Sequence, residues 1–155
     1  MNRRLQDAVE MRMPSQLRYL ALVDAVVQSF AAELDWDQDE VHNIATSAIE
    51  AATNAIEHGN RFAADKSVLM RIRSSGDAIE IEVDDEGAGF DPSPFQGDLD
   101  AEDVLKLRGR GIFIMRSFMD EVRFTRLPRR GTRVLLRKAG KPVARRSDGR
   151  DMAAT

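Results

Sequence analysis

The sequence contains no cysteine. That removes disulfide cross-links, thiol catalysis and cysteine-ligated zinc together, and it suits a reducing compartment. No apolar run approaches the roughly 20 residues that a bilayer-spanning helix needs. The opening MNRRLQDAVEMRMPSQ has no apolar signal core. The expectation is a soluble, cytoplasmic chain without membrane contact. Common nucleotide motifs are missing too. There is no G-x-x-x-x-G-K-[ST] phosphate loop, no G-x-G-x-x-G between a strand and a helix, and no protein-kinase motif set. No internal repeat is visible.

What is present suffices for one domain. Of 155 residues, 43% are hydrophobic and 32% charged, which argues against wholesale disorder. A chain of this length hides roughly 70% of its unfolded surface without covalent help. The net charge is only -3, but it is unevenly spread. Residues 123–150 hold eleven of the 23 Lys and Arg, with Asp148 alone against them, and the stretch 84–103 is acidic. The basic end fits a solvated tail, an acidic partner or nucleic acid.

The periodicities give an element order. AVEMRMP (8–14) alternates partly and stops at proline, as an edge strand does. Ser15 is placed to cap a helix whose apolar residues are Leu17, Leu20, Ala21, Val23, Val27 and Phe30, ending near Leu34. Asp37 and Glu40 have capping-box spacing at the start of a second helix. Its stripe is Val41, Ile44, Ala45, Ala48, Ile49, Ala52, Ala55 and Ile56, and Gly59 is a natural stop. SVLMRIR (67–73) and AIEIEVDD (78–85) read as strands joined by a tight turn. A loop rich in Gly, Pro and Asp follows. A short helix then opens near Ile112, and VRFTRL and TRVLLRK are the last two strands. Short connections between neighbouring strands predict a mixed, mostly antiparallel sheet covered on one face by helices, an α+β two-layer sandwich.

Three features carry chemistry. The second helix places Glu50, Asn54 and His58 at four-residue steps, a spacing that lines one face. DDEGAGF presents Asp85, Gly87 and Gly89 at the end of a strand. RGRGI presents Gly109 and Gly111 at the start of a helix, beside Lys106, Arg108 and Arg110. Glycines let a ligand approach the backbone, and a helix N-terminus offers N–H groups and a favourable dipole to phosphate. His58 has no companion ligand cluster, and His42 is several turns away. A local packing or capping role is its expected one.

In order, the polar helix face, Asp-x-Gly-x-Gly-Phe, a loop, Gly-x-Gly and Gly131-Thr132 resemble the ATP-binding domain of the superfamily of gyrase, histidine kinases and mismatch-repair ATPases. The resemblance covers about residues 10–138. EAATNAIEHGN with GRGIFIMRSFMDEV resembles most closely the bacterial anti-sigma-factor serine kinases of partner-switching systems. Histidine kinases usually lack a Glu at the place of Glu50 and carry a phosphoacceptor dimerisation segment besides.

The resemblance implies a Bergerat-type fold, with an ATP-binding domain over residues 1–138 and a basic, flexible tail over 139–155. It implies ATP and Mg2+ as ligands. Asn54 would ligate Mg2+, and Glu50 would accept or orient the proton of the incoming serine hydroxyl. Asp85 would accept from the adenine amino group, supported by Thr132, with Gly87 and Gly89 making room. Gly109 and Gly111 would bring the backbone near Ile112 to the phosphates, with Arg108 or Arg110 in reach, and residues 91–108 would form a lid. The implied activity is phosphorylation of a serine on a STAS-type antagonist and sequestration of a sigma factor by a homodimer. The alternatives are an ATP-binding switch with little kinase activity and a detached histidine-kinase-like domain. Direct nucleic-acid binding is the weakest of the readings.

Overall fold

The structure, a computed structural model, describes residues 8–88 and 110–140. Strand β1 (Ala8–Pro14) is followed by a single 3-10 turn and helix α1 (Leu20–Glu33). Helix α2 (Gln38–Asn54) continues into a π-helical turn (Ala55–Gly59). Strands β2 (Ser67–Ser75) and β3 (Ala78–Asp84), helix α3 (Gly111–Phe118), and strands β4 (Glu121–Arg126) and β5 (Thr132–Ala139) complete the order. The sheet runs β1-β2-β3-β5-β4. Each of its pairings is antiparallel, with no parallel pair among the described residues.

Register turns the alternation along each strand into two chemically different faces. One row crosses the sheet as Met11, Met70, Val83, Val134 and Phe124, and the next as Val9, Ile72, Ile81, Leu136 and Val122. This face lies under the helices, and its central residues are buried. On the other face the same register sets opposite charges side by side. Arg71 pairs with Glu10 at 2.6 Å and Glu82 at 2.8 Å, Arg133 with Asp84 at 2.7 Å, and Glu80 with Arg73 at 2.6 Å and Arg137 at 3.4 Å. Cross-strand pairs of this kind favour one register over its neighbours, each by a few tenths to about 1 kcal/mol.

Helix α2 packs between α1 and α3 and over β3 and β5. Its small residues Ala45, Ala48, Ala51 and Ala52 are buried together with Val41 and Ile44. Alanine keeps the helix regular while letting three neighbours approach closely. One end of its polar side is thereby held against α3, which is what builds the site.

Two expected caps take a different form. Ser15 does not cap α1. It is buried, donates to the Lys66 carbonyl and accepts from Asn60 Nδ2, so long-range bonds consume its hydroxyl. The chain enters α1 through the 3-10 turn instead, and Leu17 and Ala21 fall outside the buried stripe. At α2, Asp37 accepts from the N–H groups of Asp39 and Glu40 as a capping residue should. The carboxylate of Glu40 turns to Lys138 on β5, 3.4 Å away, rather than back to the cap. Asp37→Ala is expected to lower the unfolding free energy by about 1 kcal/mol in denaturant titration, and Glu40→Ala by less, since its ion pair is partly solvated.

Candidate functional site

The site is assembled where α2 runs out. From Ala55 to Gly59 the helix widens, and the Asn60 N–H bonds to the Ala55 carbonyl five residues back, at 2.8 Å. This wide turn ends the four-residue step of the polar face after Asn54. Glu50 and Asn54 stay together, while His58 is exposed and leaves the row. Wide turns of this kind often occur at functional sites.

The first cluster forms around Gly111, the first residue of α3. A methyl group there would lie 2.8 Å from Glu50 Oε2 and 3.4 Å from Asn54 Nδ2, so the glycine lets the α3 N-terminus close on both side chains. The first intrahelical bond joins Ile114 N–H to the Arg110 carbonyl. The N–H groups of Gly111, Ile112 and Phe113 therefore have no acceptor within the helix. Asn54 is 7% exposed, and its Nδ2 has no hydrogen-bond partner among the described residues. Burial pushes the Glu50 carboxyl above its ordinary range, and repulsion from Glu57 adds to the shift.

The second cluster centres on Asp85, just past β3 and 8% exposed. Its Oδ1 accepts from the Gly87 N–H at 2.9 Å and the Thr132 N–H at 3.2 Å, and its own N–H donates to the Thr132 carbonyl. Glycines crowd this residue. A Cβ at Gly59 would stand 2.3 Å from Asp85 Oδ2, and one at Gly131, whose φ is +94°, would stand 2.0 Å from the Asp85 carbonyl oxygen. A Cβ at Gly87 would meet the Gly59 carbonyl at 2.1 Å, so the room at Gly87 is taken by the protein's own backbone rather than left open. Thr132 is 2% exposed, and its Oγ1 has no hydrogen-bond partner among the described residues.

Of the residues singled out from the sequence, Glu50, Asn54 and Gly111 come together at one end of a strip, and Asp85, Gly87 and Thr132 at the other. Glu50 and Gly59, which touch the two clusters, lie on the same helical run, Glu50 in its α-helical part and Gly59 in the wide turn that ends it. Arg110 is exposed at the α3 N-terminus, while the Ile112 side chain is fully buried in the core and only its backbone borders the site. Gly89, Arg108, Gly109 and the 91–108 segment lie outside the described residues, as does the tail beyond residue 140. Sequence reasoning took Gly59 only for a helix stop and passed over Asn60 and Glu86. Asn60 sits beside a helix-ending glycine, a place where turn chemistry is common, but its burial depends on partners far along the chain.

Nucleotide and Mg2+ can be tested against these groups. Among the described residues, a buried amide and a buried hydroxyl without partners are costly arrangements unless a ligand completes them, and the free N–H groups of a helix N-terminus favour an anion. Phosphate oxygens suit the amide and the N–H groups. A cation suits the amide oxygen, and a nucleobase suits the Asp85–Thr132 end. The residues fit both groups.

Comparisons with known proteins identify the family and the fold. Residues 13–138 match the family model described as histidine kinase-like ATPase domain. Serine-protein kinase RsbW of Bacillus subtilis (strain 168) is 31% identical over 123 residues, covering 76% of this chain and 77% of the relative. Anti-sigma F factor of Halalkalibacterium halodurans is 31% identical over 136 residues, covering 86% and 93%. Among solved structures, the RsbU and RsbW domains of Rv1364c from Mycobacterium tuberculosis share the fold with a TM-score of 0.64 at 18% identity, covering 86% of this chain and 32% of that one. The SiaB–SiaC complex from Pseudomonas aeruginosa also gives 0.64, at 12% identity over 84% and 87%. With its glycine-bounded strip and the helix that walls it, the chain belongs to the histidine kinase-like ATPase domain family, among the relatives of serine-protein kinase RsbW and anti-sigma F factor.

Proposed function

We propose that this protein is an ATP-dependent serine/threonine-protein kinase and anti-sigma factor. It phosphorylates a serine of a STAS-type antagonist and, as a homodimer, sequesters a sigma factor. The observation that carries the reading is the closure of the α3 N-terminus over Glu50 and Asn54, with the Asn54 amide buried and without a partner among the described residues. The names of the relatives, a serine-protein kinase and an anti-sigma factor, supply the two halves of the activity.

The roles follow from position. Asp85 accepts from the adenine amino group, and Thr132 offers its hydroxyl to the same end. The Gly111–Phe113 N–H groups and Arg110 hold phosphate oxygens, as do Arg108 and Gly109 in the segment before α3. Gly87 and Gly89 shape the base end, Gly87 by admitting the Gly59 carbonyl. Asn54 Oδ1 would hold Mg2+, which would supply charge neutralisation at the phosphates, in keeping with that ion's preference for few protein ligands. Glu50 takes the proton of the serine hydroxyl as the serine oxygen bonds to the γ-phosphorus and the bond to ADP breaks. A carboxylate held above its ordinary range is a better base at neutral pH than a fully solvated one. The phosphate added to the antagonist then acts through charge and bulk at the contact surface.

Titration calorimetry with ATP and Mg2+ tests the site. Binding by the native protein, abolished by Asn54→Ala and by Asp85→Asn, is the expected result, and absence of binding by the folded native protein would sink the reading. Glu50→Gln is expected to leave ATP binding intact and to slow phosphate transfer to the antagonist serine by about 10²-fold or more. Nucleotide binding without transfer in the native protein would leave a partner switch in place of a kinase.

The Glu50 shift also fixes a sign for stability. The folded state holds this proton more tightly than the unfolded chain, so stability falls as pH rises from the ordinary carboxylate range through the raised folded value. Thermal melts of ligand-free protein at a series of pH values should show Glu50→Gln losing less stability than the native chain across that window.

A further inference from the structure

Asn60 is buried, 1% exposed, and all its polar atoms are used. Its Nδ2 donates to Ser15 Oγ at 2.9 Å and to the Ser67 carbonyl at 3.0 Å, and its Oδ1 accepts from the Glu86 N–H at 2.7 Å. The Ser67 carbonyl can only accept and the Glu86 N–H can only donate, so the amide has one orientation. Three remote segments therefore meet on one side chain: the approach to α1, the start of β2, and the turn leaving β3.

Glu86 is the residue between Asp85 and Gly87. Its side chain is held as well as its backbone. Oε2 accepts from the Ser67 N–H at 2.6 Å and from Ser67 Oγ at 3.3 Å, and Oε1 meets Arg130 at 2.8 Å. Asn60 also directly follows Gly59, whose carbonyl lies against Gly87 and whose α-carbon lies under the Asp85 carboxylate. The chain thus grips the 85–87 turn twice in succession, by close contact at Gly59 and by a hydrogen bond at Asn60.

We propose that Asn60 is a positioning residue for base recognition: by fixing the Glu86 N–H to α2 and β2, it sets the aim of the Asp85 carboxylate and so the preference for a 6-amino purine. The inference rests on the nucleotide reading above and adds to it a determinant that touches no ligand. Without the amide the turn keeps its bonds to Thr132, the Glu86 pairing with Ser67 and Arg130 and the close contact at Gly59, but loses the hydrogen bond that ties its backbone to the end of the helical run. The Asp85 carboxylate would then hold a broader range of directions. Discrimination between an amino group and a carbonyl at purine position 6 depends on that direction, whereas phosphate contacts at the Gly111 end do not.

The test compares ATP with inosine triphosphate, which carries a carbonyl where ATP carries the amino group. Both affinities are measured by calorimetry for the native protein, Ser15→Ala and Asn60→Ala, well below each melting temperature. Ser15→Ala removes one bond from the same amide and leaves the Glu86 contact in place. Both variants are expected to melt earlier, but only Asn60→Ala should lower the ATP preference, by about tenfold, as loss of orientation does. An unchanged preference in Asn60→Ala would overturn the proposal and leave Asn60 a structural residue. Equal loss in Ser15→Ala would overturn it too, since general loosening would then account for the effect. Should Asn60→Ala fail to fold, Asn60→Ser makes the same comparison, because its hydroxyl stays polar but is too short to reach Glu86. Native protein that binds no nucleotide would refute the function reading itself, a result distinct from either outcome at Asn60.

Discussion

The Asp85 carboxylate is the point on which the other contacts converge. It lies where β3 ends, and its surroundings tolerate no added Cβ at Gly59, Gly87 or Gly131. Each glycine belongs to a different part of the chain: the end of the α2 helical run, the turn after β3, and the turn before β5. A carboxylate needs donors to be buried, and Asp85 obtains them from the backbone of Gly87 and Thr132. Close approach and hydrogen bonding are thus one requirement. The glycines let the backbone come near, and the donors make the proximity favourable.

The two faces of the sheet make this convergence affordable in stability. The inner apolar rows pass without interruption from β1 to β4, so the helices dock on a continuous surface. The outer ion pairs oppose strand slippage by a register-specific pattern of charge. A slip of one residue would carry Glu80, Glu82 and Asp84 into the core. The register that places Val83 in the core is therefore the same register that delivers Asp85 to Thr132 at the strand ends.

Much of this was legible in the sequence because it is local. Alternation in AIEIEVDD gave β3, the alanine-rich stripe gave α2, and Asp85 with one glycine of each pair, Gly87 and Gly111, marked the described parts of the candidate site. The α2 stripe differs from expectation chiefly at Ile49, which is half-buried, and at Ala51, which is buried. What could not be read depends on distant partners. Ser15 has the residue type and place of a cap, yet Lys66 and Asn60 take its hydroxyl. Glu40 has capping-box spacing, yet Lys138 on β5 competes for its charge. The four-residue step from Glu50 to His58 implies an unbroken helix, and the π-helical turn breaks it after Asn54. The resemblance implies that Gly87 makes room for a nucleotide, and only the folded arrangement reveals that the Gly59 carbonyl packs against it.

The local rules fail where the site is built, and the failures share a physical cause. A buried donor or acceptor without a partner costs about 1–3 kcal/mol, and Asn54 Nδ2 and Thr132 Oγ1 are both in that condition among the described residues. Glu50 is held where ionisation is disfavoured, and burial is the larger reason. The cost of these groups is carried by the apolar core that the sheet and the helices share, which holds most of the fully buried side chains. A ligand that satisfies the amide and the hydroxyl recovers free energy that the folded chain has left unused. Its binding must therefore stabilise the contact of α3 with α2 and the bond between the β3 and β5 ends together, because at each lies one group without a partner among the described residues.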